Sequence, residues 1–272
     1  MKLSKRSIFI FIGSFIVLAN IFVAVAVPFL PLPDPQHYLL DQRYDSPSLS
    51  APFGRDENGV DVMTLIFWGA RLSLTVAVSV VFVTTLVGLI VGSVAGYKGG
   101  YTDFIIMRFI DMIHAFPGFL LALALVASLG PSVKNLILAM SLTGWAGVAR
   151  LIRGELLHLK EKEYVQSSRA LGASSIRTVC LHIWPNLIGI MTVQATFAMA
   201  GTLIVESGLS FLGLGAPPTT PTWGMLLNSG RYYLTEAPHI SIFPGIAILL
   251  LVLGFNLLGD GLREILDPKN NL

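Results

Sequence analysis

Charge is scarce in this chain. Asp, Glu, Lys and Arg make up 12% of its 272 residues, about half the ~25% usual in soluble globular domains. The net charge of +2 is small and the cations are scattered between apolar segments, so no nucleic-acid partner is expected. Cysteine is rarer still. Cys180 stands alone, which excludes an intrachain disulfide and any cysteine-based metal site. Its apolar neighbours make it a small packed residue rather than a reactive thiol. Two motifs are missing as well. No Gly-x4-Gly-Lys-Ser/Thr loop is present to cradle phosphates, and no His-Glu-x-x-His pair offers zinc ligands. Ser, His and Asp occur, but at no spacing that joins a nucleophile to its base. No catalytic residue, no metal and no cofactor bound by this chain is therefore expected.

What the chain has in abundance is hydrocarbon: 54% hydrophobic residues and a mean hydropathy of +0.73. Six largely apolar stretches read as candidate helices, at roughly 8–30, 72–97, 104–129, 133–153, 185–207 and 241–260. At ~1.5 Å per residue each can cross a ~30 Å hydrocarbon core. Barrel-type alternation is absent, so helices are the crossing elements. The predicted fold class is all-α, a polytopic membrane protein with six transmembrane helices in contact with lipid.

Lys2, Lys5 and Arg6 precede the first run, and Ala24-Val25-Ala26 resembles a signal-peptidase site. The run continues through Leu30, beyond a usual signal core, and reads as an uncleaved anchor. With the N-terminus inside, thirteen of the 18 Lys and Arg residues fall on the inner side and five on the outer (Arg43, Arg55, Arg71, Lys134 and Arg231). That asymmetry predicts cytoplasmic N- and C-termini. Residues 1–71 then form an anchor helix with a Pro-, Asp- and Ser-rich periplasmic segment. Residues 72–272 form the transmembrane core, with a cytoplasmic loop at 154–184. The outer segment 208–240 is turn-rich, and its Trp223, Tyr232 and Tyr233 suit an interfacial aromatic belt.

The loop is the most polar stretch within the core. Lys160 to Leu171 lacks Gly and Pro and favours helix, with Tyr164, Val165 and Leu171 near one face. Gly172 fits a helix C-terminal cap, and Ser174 or Ser175 can start a second short helix running towards Pro185. Two short helices meeting at a bend serve either as an interfacial element on lipid headgroups or as a helix presented to a soluble partner's groove. Spacing alone leaves both open.

Gln166-Ser167-Ser168, Gly172 and Ile183-Trp184-Pro185 resemble the cytoplasmic loop of ABC importer permeases. That loop carries Glu-Ala-Ala, three residues, Gly, then about nine residues and Ile-x-Leu-Pro. Gly172 and Pro185 match, whereas Gln-Ser-Ser replaces the family's triplet and removes its acid. The likeness continues in Pro52-Phe53-Gly54-Arg55-Asp56, Gly59, Asp61-Val62 and Gly69-Ala70-Arg71. It resumes in Gly96-Tyr97-Lys98-Gly99-Gly100, Met107-Arg108, Asp111 and Ala115-Phe116-Pro117-Gly118. The strongest stretches are Glu206 to Gly215 and Phe255 to Arg263, followed by Asp267-Pro268. In this order the series resembles dipeptide/oligopeptide permeases of the DppC/OppC type.

The resemblance implies a bacterial or archaeal cytoplasmic-membrane subunit that works by alternating access. Two cytoplasmic ATPase subunits would use ATP and Mg. A second homologous permease would complete a heterodimer, and a periplasmic or lipid-anchored binding protein would deliver substrate. It implies an ATPase-coupling surface at Glu163, Tyr164, Val165, Gln166, Ser167, Ser168, Arg169, Ala170, Leu171, Gly172, Ala173 and Pro185. Tyr164, Val165, Ala170 and Leu171 would supply the apolar contacts. Di- or oligopeptides are the expected cargo, with nickel or another small solute as the alternative. A membrane scaffold and an intramembrane hydrolase are remote alternatives.

Charges in the spans are costly and need partners. Arg108 and Asp111 stand three apart and are expected to pair, as are Asp260 and Arg263. His114 is expected to be a packed histidine, and Pro117 to kink the third span. Glu206, with Ser210, is either a helix-packing hydrogen-bonding group or part of the translocation path.

Overall fold

The computed structural model describes residues 5–217 and 219–266. Lys2, Pro218, Asp267-Pro268 and Lys269 lie outside them. Ten helices carry the fold among the described residues: α1 (Lys5–Ala26), α2 (Val62–Lys98), α3 (Gly100–His114), α4 (Gly118–Leu129) and α5 (Val133–Leu159) come first. They are followed by α6 (Glu163–Ala170), α7 (Ser175–Thr178), α8 (Trp184–Phe211), α9 (Trp223–Gly230) and α10 (His239–Leu266). No strand is present among these residues beyond one antiparallel bridge between Arg55 and Asp61.

Five spans are long and apolar enough to cross a membrane, and the bent pair α3–α4 makes a sixth if counted as one. Three differ from the sequence expectation, the fifth by starting at Ser175 rather than 185. The second begins at Val62 rather than 72, because the Asp61 carboxylate accepts hydrogen bonds from Thr64 N (2.9 Å) and Thr64 Oγ1 (2.7 Å) and caps the helix ten residues earlier. The third does not merely kink at Pro117. It breaks into two helices inclined by 79°: α3 ends at His114, and Pro117 disfavours helical backbone at Phe116 before α4 begins.

The helices pack through small residues. α2 lies along α5 so closely that a Cβ on Gly88 would come within 2.6 Å of Val148 Cβ. Gly92 and Gly96 continue that seam against Ala149, Ile152 and Leu156. In lipid, where apolar surface gains little by association, such close approach supplies the helix–helix attraction. α10 packs between α1 and α8, and one buried cluster joins Val17, Leu74, Ala77, Leu203 and Phe255 across these elements.

The segment before α2 docks on α10 and on the turn that joins α9 to it. Tyr44 sits 4.6 Å from Tyr233 between ring centroids, and Phe53 stacks on Phe243 at 4.2 Å. His239 Nε2 lies 3.0 Å from Arg55 O. Trp223 departs from the aromatic-belt expectation. It is 1% exposed, and its indole donates to Ile66 O at 2.9 Å, wedging α9 against α2.

Arg108 pairs with Asp111 at 3.8 Å, as expected, but Arg150 on α5 comes nearer to the same carboxylate, at 2.5 Å. Asp103 takes both Arg153 Nε (3.0 Å) and Nη2 (2.5 Å). Both carboxylates therefore tie α3 to α5, an arrangement a within-helix spacing cannot reveal. Among the described ion pairs none joins Asp260 to Arg263. His114 is exposed at the end of α3 instead of packed.

Candidate functional site

The loop between α5 and α8 folds from local signals. Glu163 stands in the first turn of α6 and Arg169 in the last, each complementing the helix dipole. Gly172 adopts φ +83°, a region closed to most side chains. Ala173 N then reaches Ser168 O at 3.1 Å and Gly172 N reaches Arg169 O at 3.0 Å, a paired C-terminal cap that satisfies the last carbonyls. Beyond the turn, Ser174 Oγ accepts from Arg177 N at 3.3 Å and starts α7. The second helix is not a separate short one, however. From Ser175 it passes through one π turn (Val179–Ile183) into α8 and runs continuously to Phe211. Pro185 lies inside this continuous helix, two residues past the π turn, where the widened turn accommodates its missing N–H.

This element is fastened to three spans. Val165 is fully buried with Ile152 and Leu156 of α5 and with Ile183 and Leu187 around the start of α8. The Arg169 guanidinium lies 5.3 Å from the Tyr97 ring centroid on α2, and Lys160 Nζ donates to Gly96 O at 3.4 Å. Trp184 Nε1 donates to Ser93 Oγ at 3.0 Å. Val165 is thus a correction to the apolar contact set: it faces its own chain, because its place on α6 points into the gap between α5 and α8.

The other side of the element is open. Leu171 is 89% exposed and Ile176 78% exposed, and Tyr164, Ala170 and Glu163 are also exposed. A concavity of about 530 Å³ is lined by Tyr164, Ser167, Ser168, Leu171, Arg177 and His182, with Gly172 and Ala173 at its rim. Gln166, where the family pattern has an acid, is exposed and its amide donates to Glu161 Oε2 at 3.4 Å. The surface therefore offers two large apolar side chains, hydroxyls and an arginine, with no carboxylate among its lining residues.

Glu206 and Ser210 lie far from this surface, in α8. Glu206 is fully buried, and Ser73 Oγ (2.9 Å), Ser210 Oγ (2.8 Å) and Ser207 Oγ (3.4 Å) all donate to its carboxyl group. Ser73 belongs to α2, so this cluster ties two spans. Sequence reasoning missed Ser73, Ser93 and Tyr97. The small-residue spacing around Ser93 was the available signal for a close α2 partner.

Comparison with known proteins agrees with this geometry. Residues 88–271 match the family described as binding-protein-dependent transport system inner membrane component. The glutathione transport system permease protein GsiD of Escherichia coli is 41% identical over 93% of this chain and 84% of its own length. The dipeptide transport system permease protein DppC of Alkalihalophilus pseudofirmus is 38% identical over 98% of this chain and 88% of its own length. The chain belongs to the binding-protein-dependent transport system inner membrane components, as a multi-pass permease subunit of an ABC importer of the DppC/OppC type.

Proposed function

We propose that this permease carries di- or oligopeptides inward, driven by ATPase subunits that seat on the α6–Gly172–α7 surface. The observation that carries the reading is the two-sided loop: one side packed into α2, α5 and α8, the other presenting Tyr164, Leu171 and Ile176 to a partner. A push on the exposed side reaches three spans at once. ATP and Mg belong to the two ATPases, because this chain has no phosphate-binding loop. A second, related permease completes the pathway, and a binding protein delivers substrate at the opposite end. The bias of Lys and Arg supports a cytoplasmic loop and cytoplasmic termini. The names of its relatives, glutathione and dipeptide permeases, support a peptide cargo.

The test is reconstitution of the co-purified complex in vesicles. Loaded binding protein should raise ATP hydrolysis and labelled dipeptide should accumulate. Uptake of nickel with no dipeptide uptake would overturn the cargo. For orientation, Leu171→Cys in a Cys180→Ser background should react with an impermeant maleimide only from the cytoplasmic face. Labelling from the periplasmic face would reverse the topology.

A further inference from the structure

The end of the molecule opposite the coupling surface holds a groove that the transport reading leaves unused. It has a volume of about 810 Å³ and opens between α1, α2, α8 and α10. Val25 and Pro28, Leu74 and Val78, Met199 and Phe255 line it. Its polar groups are few: Arg71, with Thr75 and Ser79 one and two turns further along α2. Thr75 Oγ1 is already committed to Arg71 O at 2.7 Å.

Arg71 has no carboxylate partner among the described residues, and its guanidinium lies 5.9 Å from the Trp68 ring centroid. α2 has 37 residues and is therefore ~56 Å long, against a hydrocarbon core of ~30 Å. Its first turns stand beyond the core, and the unbroken apolar stretch begins at Leu72. Arg71 thus sits at the boundary, beside a tryptophan of the kind that marks headgroup depth. An uncompensated cation at that depth attracts an anion. The groove below it, from Arg71 to Ser79, runs for about 12 Å along α2 and is walled by hydrocarbon.

We propose that this groove holds an anionic phospholipid, with its phosphate on the Arg71 guanidinium and one acyl chain lying between α1 and α2. The occupant is a net anion because nothing in the groove balances Arg71, whereas a zwitterionic lipid brings its own ammonium. The inference rests on α1, α2, α8 and α10 crossing a bilayer and is independent of the cargo.

Native mass spectrometry of the whole transporter, released from micelles containing equal phosphatidylglycerol and phosphatidylethanolamine, tests it. The wild type should retain phosphatidylglycerol preferentially. Arg71→Gln should weaken that retention about fivefold, the effect of one interfacial cation, while Arg71→Lys keeps most of it. Ser79→Trp, which fills the groove with Arg71 intact, should also expel the lipid. Equal retention of the two lipids, or retention unchanged in both Arg71→Gln and Ser79→Trp, would overturn the proposal. So would a photocrosslink to the partner permease from a photoreactive phenylalanine analogue in place of Val25, which would make the groove a subunit interface. Arg71→Gln that abolished peptide uptake without changing lipid retention would also overturn it, by assigning the arginine to substrate.

Discussion

The indole of Trp184 donates its hydrogen bond to Ser93 Oγ at 3.0 Å, joining the start of α8 to the last third of α2. Ser93 lies one residue beyond Gly92, where α2 comes nearest to the backbone of α5. The three spans that the coupling loop touches are therefore also tied to one another just above it. On the proposed coupling, a partner that displaced the loop would move a unit of three helices rather than a single one.

Breaking that tie should loosen transmission more than stability. Trp184→Phe keeps the ring and leaves Ser93 without its donor, at a cost of about 0.5–1.5 kcal/mol. The thermal midpoint of the complex should fall by a few degrees at most. Stimulation of ATP hydrolysis by loaded binding protein should fall more than basal hydrolysis. Proportional loss of both rates would remove Trp184 from the coupling route.

Gly172 separates conformational from steric demand. A Cβ there would meet nothing within 4 Å, yet the residue's φ is +83°. Only the backbone region is restrictive, and left-handed geometry costs a branched residue about 1–2 kcal/mol or more. Asparagine tolerates that region and valine does not. Gly172→Asn should preserve uptake, while Gly172→Val should lose coupling yet still insert in the membrane. Equal uptake by both variants would show that the turn does not matter.

The elements with a backbone-level cause were legible in the sequence. Gly172 as a left-handed cap and a serine at 174 or 175 as an N-cap are read from residue type and position; the first stands, and the structure selects Ser174 for the second. The errors came from treating charge as a boundary. Arg71 stopped the predicted second span, although Asp61 followed by Val62 and a further apolar stretch carried the true start. Interhelical partners were not legible. Arg108 and Asp111 satisfy an i, i+3 rule, but Arg150 reaches Asp111 from another helix. Val165 could not be assigned a side until α5 and α8 were in place, because a short helix has apolar residues for its own chain and for its partner.

Glu206 distinguishes a structural tie from a transport contact. Its carboxyl group gathers hydroxyls from Ser73 on α2 and from Ser207 and Ser210 on α8. Glu206→Leu strips the acceptor from these buried hydroxyls and should cost about 1–3 kcal/mol. Glu206→Gln retains an acceptor oxygen and should cost roughly half as much. A lowered thermal midpoint in that order, with residual uptake tracking the folded fraction, marks a helix tie. Lost uptake in Glu206→Gln at an unchanged midpoint would place the residue in the path.

Asp56 gives the segment before α2 a pH dependence of defined sign. It lies in the turn before α2, where its Oδ1 accepts from Asn58 N at 2.9 Å and Val60 N at 2.8 Å. Burial nevertheless raises its carboxyl above the ordinary value of 3.8. The neighbouring Glu57 is raised too, by burial and then by the charge on Asp56. An acid held higher in the native state binds its proton more tightly there than in the unfolded chain. Its contribution to stability is therefore complete below its ordinary value and is lost as pH rises through the raised native value. Asp56→Asn keeps an oxygen facing both amides and removes the ionising group. As pH rises above the ordinary value of 3.8, the wild-type complex should lose thermal stability relative to Asp56→Asn. The two midpoints should lie closest at the acid end, where the wild-type carboxyl is protonated and mimics the amide. A difference that instead grew towards acid would mean that the amide hydrogen bonds outweigh burial at Asp56.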